Sequence, residues 1–300
     1  LFCAPSSHDR IFNRAYCFFL EACYFAFPQY RTQPPKDHAL KKKKTDLCGR
    51  DLDQLERLVW HDKLTFLSQV AFHYAVYFAL PGFYPAQLEV YAPFPKRVSA
   101  LVLHHAALSF TMYWLHRALH VHPYLWKHIH SIHHWASHPL SRNTYEDHWL
   151  DNLGNEFFGA FLAQLLFPLD FQFFWFSKGI RIMESLEKHS GISCWLNLAH
   201  TAQRWMPYAQ MPHHHDYHHE GFKSCNYTFC ALGGVWDYFF GTRKAGRGKD
   251  TVAATREDFE MSTQASTLTI NFDDPSAVLL PILTVPVLIA LKALLQSSNR

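Results

Sequence analysis

The chain has 300 residues, of which 49% are hydrophobic and 16% aromatic, with a formal charge of +3. That length allows one or two domains with a large apolar interior, and so small a charge, with no basic stripe alternating with aromatics, argues against nucleic acid as a partner. Seven dispersed cysteines with no CxxC pair do not read as a disulfide framework and fit a reducing or membrane-embedded setting.

Residues 1–58 are mixed. The aromatic stretch 11–27 is interrupted by Arg14 and Glu21, so it reads as an interfacial or packed helix rather than a clean span. Pro34, Pro35 and the lysines 41–44 mark a loop. The lysine run is either a solvated surface or a cytoplasmic flank of the positive-inside kind.

Four apolar blocks follow. Block 64–80 carries no charged residue and stops at Pro81-Gly82. At ~1.5 Å per residue it nearly crosses a hydrocarbon core of ~30 Å. Block 98–115 runs directly into the first histidine pair. Block 157–176 is broken by Pro168 and Asp170, which predicts a helical hairpin or a kinked span. Block 277–295 contains Pro281 and Pro286. Four such blocks predict a membrane protein, and no strand alternation, GxGxxG motif or fixed-period repeat competes.

Three histidine clusters carry the chemistry. They are His116 and His120, then His130, His133 and His134, then His215, His218 and His219. Residues three and four apart share a helix face, so each cluster can aim its imidazoles at one point. Neutral imidazole binds iron, zinc, copper or nickel. Eight imidazoles exceed the four ligands of a usual zinc site and are about what two metal ions need. The first two clusters follow block 98–115, and a hairpin in 157–176 returns the chain so that the third can meet them at one membrane face. A hairpin of 64–80 and 98–115 puts that face on the side of the lysine run, the cytoplasm.

His189, His200 and His148, in that order, are candidates for a ninth ligand, and His214 could substitute within the third box. Asp216 and Glu220 are placed to accept the outer N–H of ligating imidazoles. His104 and His105 lie roughly 17 Å from His116 along a straight helix. They read as buried polar groups or as lining for a substrate path. His122 is on the wrong face, His128 and His138 flank the second box, His213 adjoins the third, and His8, His38, His61 and His73 receive no role.

The order HxxxH, HxxHH, HxxHH on a multi-span helical chain resembles the fatty acid hydroxylase superfamily, whose members include sterol desaturases, C-4 methylsterol oxidases, cholesterol 25-hydroxylase and sphingolipid hydroxylases. The likeness covers residues 60–242. It extends to His189-Ser190-Gly191, to His215-Asp216-Tyr217-His218-His219-Glu220 followed by Asn226-Tyr227, and to Trp236-Asp237 with Phe240-Gly241-Thr242. HSG and HDxHH together resemble the sterol-oxidising branch.

The resemblance implies two iron ions per chain, held by His116, His120, His130, His133, His134, His189, His215, His218 and His219. It implies O2 as co-substrate, a sterol or other lipid as substrate, and electrons from cytochrome b5 or a similar donor with an NAD(P)H reductase, at the endoplasmic reticulum. One hydrogen abstraction followed by hydroxyl transfer gives an alcohol; two give a double bond. The expected fold is therefore all-α, a multi-span transmembrane helical bundle with a cytoplasmic histidine-rich di-metal cap. Its parts are an N-terminal segment 1–58, a hydroxylase-like catalytic domain 59–242 and a tail 243–300 with an apolar segment. The expected activity is iron-dependent lipid hydroxylation. The alternatives are a desaturase on the same scaffold and a non-catalytic metal-binding membrane protein; a zinc hydrolase is disfavoured because no HExxH is present.

Overall fold

The computed structural model describes residues 7–32, 50–80, 83, 93–203, 209–219, 225–228 and 234–244. The lysine run 41–44, Pro81-Gly82, Glu220 and apolar block 277–295 lie outside the described residues. Within them the fold is all-α, and the one pairing of extended backbone is an isolated antiparallel bridge between Arg31 and Ile192.

Helix α1 (Ser7–Ala26) buries Tyr16, Leu20, Cys23 and Tyr24 and leaves Phe18, Phe19 and Phe25 exposed. Tyr16 and Leu20 pack on Leu186, Ile182 and Met183. Its packed face fits the interfacial or packed helix expected where Arg14 and Glu21 interrupt an aromatic run.

Helix α2 (Leu52–Ala79) starts with a reciprocal cap: Gln54 N–H donates to Asp51 at 2.9 Å, and Asp51 N–H donates to the Gln54 side chain at 3.0 Å. That cap sets the start of the helix. Phe72 packs edge-on against Phe157 and Phe161.

Helix α3 (Phe94–Val121) is the axis of the site. Among the described residues it is the one helix long and apolar enough to cross a membrane. Its N-terminal half exposes Phe94, Val98, Val102 and Leu103, while residues 111–119 are buried. His122 ends it, and Pro123 opens the short α4 (Pro123–His128) at the position where a missing N–H costs nothing. Two 3-10 turns follow, His130–Trp135 and Ser141–Tyr145.

Helix α5 (Trp149–Glu156) passes through a π turn (Phe157–Phe161) into α6 (Leu162–Leu166), which lies along α3. Thr111 of α3 donates its hydroxyl to the Phe158 carbonyl in that turn. The chain then breaks over 167–170, as Pro168 and Asp170 predict. Asp170 caps α7 (Phe171–Lys188) by accepting from Phe173 N–H at 3.1 Å, and Arg97 of α3 binds the same carboxylate at 2.7 Å. Gln164 closes the break from the other side, bonding both the N–H and the carbonyl of Leu169. The chain ends its described course in α8 (Leu198–Gln203), α9 (Pro212–His219) and α10 (Gly234–Phe239).

Candidate metal centre

Four elements deliver nine imidazoles to one place: the last turns of α3, the 3-10 turn at 130–135, the end of α7 and helix α9. They sort into two groups, His116, His120, His130, His134 and His218, and His133, His189, His215 and His219, within each of which the ligand atoms lie within 4.8 Å of one another. The groups touch: His134 and His219 stack with centroids 4.4 Å apart.

The boxes do not each serve one point, as spacing alone suggests. Each i/i+4 pair stays together (116 with 120, 130 with 134, 215 with 219), while His133 and His218, the i+3 members, cross to the other group. On α9 the reason is angular. A residue four positions on lies close over the first, whereas one three positions on is offset to the other side of the helical stripe. A stripe placed between two centres therefore serves both.

The outer nitrogens fix the tautomers. Nδ1–H of His116 donates to the Tyr227 carbonyl at 2.6 Å, of His189 to the Ser185 carbonyl at 2.8 Å, of His218 to the Cys225 carbonyl at 2.6 Å, and of His219 to the Ala136 carbonyl at 3.2 Å. His130 donates to Asp151 at 2.6 Å, and His133 to Asp147 at 2.5 Å. Carbonyls and carboxylates only accept, so in each neutral ring Nε2 carries a bare lone pair.

Those lone pairs face one another. Nε2 of His116 is 3.1 Å from Nε2 of His130, and Nε2 of His189 is 3.1 Å from Nε2 of His133. The contacts His120–His116, His215–His189 and His219–His215 measure 3.1, 2.9 and 3.2 Å between the same atoms. In the His116–His130 and His189–His133 contacts both rings keep their proton on Nδ1, so no proton is left to share and the lone pairs repel unless a cation stands between them. Ligands about 2.1 Å from a metal ion and at right angles to one another are about 3.0 Å apart. The buried Nε2 atoms of His218 and His134 have no hydrogen-bond partner, as a ligating position requires. The residues present thus fit two cations with nitrogen ligands.

Burial also keeps these rings neutral. It holds His134, His189, His215 and His219 well below the usual histidine range, with neighbouring imidazoles adding to the effect. His218 is lowered to about 3, chiefly by burial. Burial pulls His133 down as well, but the Asp147 charge and hydrogen bond outweigh it and leave the pKa raised. Burial would raise Asp151, yet the His130 contact holds it below the ordinary aspartate value.

The other sequence candidates lie apart from both groups. His200 donates Nδ1–H to Glu187 at 2.6 Å. His148 packs on His61, with centroids 4.5 Å apart, and accepts from Leu150 N–H. His214 stacks on His213 and accepts from Met211 N–H. Asp216 is buried and accepts from the Thr32 hydroxyl. His104 donates to the Phe167 carbonyl at 3.0 Å, where the helix breaks, and His105 pairs with the buried Glu184.

Among the described residues, the carboxylates that meet box imidazoles are Asp147 and Asp151, which sequence reading did not single out. Their only signal is an i/i+4 acid pair soon after the second box. Asp237 was read as part of a closing segment, and its work is structural. Its carboxylate accepts from Tyr227 N–H at 2.8 Å, Thr228 N–H at 2.9 Å and the Thr242 hydroxyl at 2.7 Å. Asn226, at φ 55°, turns the chain just before it. That turn aims the carbonyls of Cys225 and Tyr227 at His218 and His116.

Comparison with known proteins agrees with this arrangement. The fatty acid hydroxylase family matches residues 101–242, which include all nine imidazoles. The chain is 36% identical over 138 residues (45% of this chain, 46% of the relative) to a protein of Dictyostelium discoideum provisionally named a methylsterol monooxygenase. It is 29% identical over 152 residues (50% of each chain) to methylsterol monooxygenase 1-3 of Arabidopsis thaliana. A very-long-chain aldehyde decarbonylase of Oryza sativa subsp. japonica is 29% identical over 154 residues (51% of this chain, 48% of the relative). The chain thus matches over about half the length of these curated relatives. No solved structure matches it.

Proposed function

We propose, on the premise that residues 101–242 belong to the fatty acid hydroxylase superfamily, that the chain is an O2-dependent, di-iron lipid oxidoreductase that hydroxylates an unactivated C–H bond of a sterol or similar lipid. The single observation that carries this reading is the set of Nε2 atoms about 3 Å apart in two adjoining groups. One group offers five imidazoles and the other four.

His116, His120, His130, His134 and His218 would hold one iron, and His133, His189, His215 and His219 the other. Two irons in an all-imidazole shell supply O2 reduction and the oxidising power to break an aliphatic C–H bond. The rest is the work of the chain. Asp147 and Asp151 keep the Nδ1 protons of His133 and His130 on the outer side and add basicity to the inner nitrogens. The Tyr227, Cys225, Ser185 and Ala136 carbonyls do the same for four more rings without adding charge. Trp126 packs on His120 and His134, with centroids at 5.0 and 5.1 Å, and covers one side of the five-imidazole group.

The exposed apolar half of α3 supports a place in a bilayer, with the imidazoles at its C-terminal end just beyond the hydrocarbon. A multi-span bundle in the endoplasmic reticulum, with the centre facing the cytoplasm and electrons coming from a cytochrome b5-type donor, belongs to the same proposal. The test is purification with iron, then O2, a reducing system and a panel of methylsterols, ceramides and fatty acyls. Oxygenated product from one class is expected. Two bound irons with no O2 consumption across the panel would leave a non-catalytic metal protein. The named activity of the rice relative supplies a second reading, decarbonylation of a very-long-chain aldehyde, and product mass separates the two.

A further inference from the structure

We propose that His200 is an anchor for a lipid hydroxyl, which deepens the function above and rests on it for the lipid nature of the ligand. His200 on α8 and Glu187 on α7 are both 0% exposed. Glu187 accepts four hydrogen bonds: from the Tyr16 hydroxyl, from the N–H groups of Ala199 and His200 at 2.9 Å each, and from His200 Nδ1 at 2.6 Å. Its acceptor capacity is fully used, and the His200 ring is fixed with its proton on Nδ1. Nε2 of the same ring is buried and has no hydrogen-bond partner.

This is the arrangement of His130 on Asp151 and His133 on Asp147, with one difference. There, other lone pairs converge on the same point and call for a cation. His200 stands outside both imidazole groups, so a metal ion would find too few donors. What satisfies an isolated buried acceptor is an O–H or N–H from outside the protein. A sterol or fatty alcohol carries one; an aldehyde, ester, ether or carboxylate does not. The site therefore selects a hydroxylated lipid and disfavours the aldehyde reading. Glu187 lies two residues before His189 on the helix that supplies that imidazole, so an alcohol held at His200 would be moored close to the metal-centre end of α7.

The experiment is equilibrium binding to detergent-solubilised protein of two matched pairs: stearyl alcohol with methyl stearyl ether, and a methylsterol with its O-methyl ether. Wild type is expected to bind each alcohol about tenfold or more tightly than its ether, the usual loss when a buried polar group goes unmet. His200→Leu should bind both members of a pair alike, and His200→Gln, which keeps an acceptor, should restore part of the preference. Metal content equal to wild type checks that the variants fold. Equal binding of alcohol and ether by wild type means that water alone fills the site and overturns the proposal, whatever the variants do. An undiminished preference in His200→Leu overturns it as well. O2 consumption is measured separately: its absence with the alcohol preference intact would strike the oxidase reading and leave the anchor standing.

Discussion

His130 donates its Nδ1 proton to Asp151 across 2.6 Å, and both side chains are at most 3% exposed. The contact joins two stretches of chain that carry no shared motif, and it sets which nitrogen of His130 faces the centre. His133 and Asp147 repeat it 2.5 Å apart on the other group.

Asp151→Asn and Asp147→Asn should therefore weaken metal binding by about 10- to 100-fold each while the helical content stays near wild type. Competition against a chelator, with circular dichroism as the folding check, measures this. Wild-type affinity in both variants would show that the carboxylates only fill space.

His133→Ala and His218→Ala remove one imidazole from different groups. Each should abolish turnover and lower bound iron from about two per chain toward one, because the untouched group keeps its full set. Metal analysis with an activity assay reads both. Full activity in either variant removes that histidine from the ligand set.

Acid should destabilise the metal-free protein. His218 is lowered to about 3, and His134, His189, His215 and His219 are lowered as well, chiefly by burial. Below the unfolded histidine value of about 6.5 the unfolded chain takes up protons that these native rings refuse, so stability falls with pH down to the folded values. His133 is raised and acts with the opposite sign: its contribution is present below about 6.5 and is lost as pH rises through its folded value. Five lowered rings outweigh one raised ring. Denaturant unfolding of metal-free protein should give a lower midpoint at about pH 5 than at about pH 7.5. The same protonation expels metal, so iron retained through a prolonged acid wash would count against imidazole ligation.

Asp237→Ala should cost about 2–5 kcal/mol, because it strands the buried N–H groups of Tyr227 and Thr228 together with the Thr242 hydroxyl. The damage should reach the centre, since the freed segment carries the carbonyls that orient His116 and His218. Thermal unfolding and metal affinity should fall together. An intact metal affinity in a destabilised variant would uncouple the turn from the site.

Much of this was legible beforehand. The i/i+4 pairs, the three boxes, the break at Pro168 and Asp170 and the packed character of α1 follow from local rules: helical spacing, a missing N–H and charges within an aromatic run. His189, first among the candidates for a ninth imidazole, stands in the four-imidazole group, and His200 and His148 stand outside both. The outer carboxylates did not follow so directly. Asp216 flanks a box in sequence and meets Thr32, while Asp147 and Asp151 reach the imidazoles in space.

The sequence by itself determined that the chain is helical and that its histidines come in sets spaced for metal ligation, because those properties depend on residues a few positions apart. Only the tertiary structure decided how the sets divide. His133 and His218 leave their own boxes for the opposite group, backbone carbonyls from 225 and 227 fix two tautomers, and His200 is held by Glu187 with a lone pair to spare. Each depends on the directions in which separate helices present their side chains once the core has packed. No spacing along one segment encodes those directions.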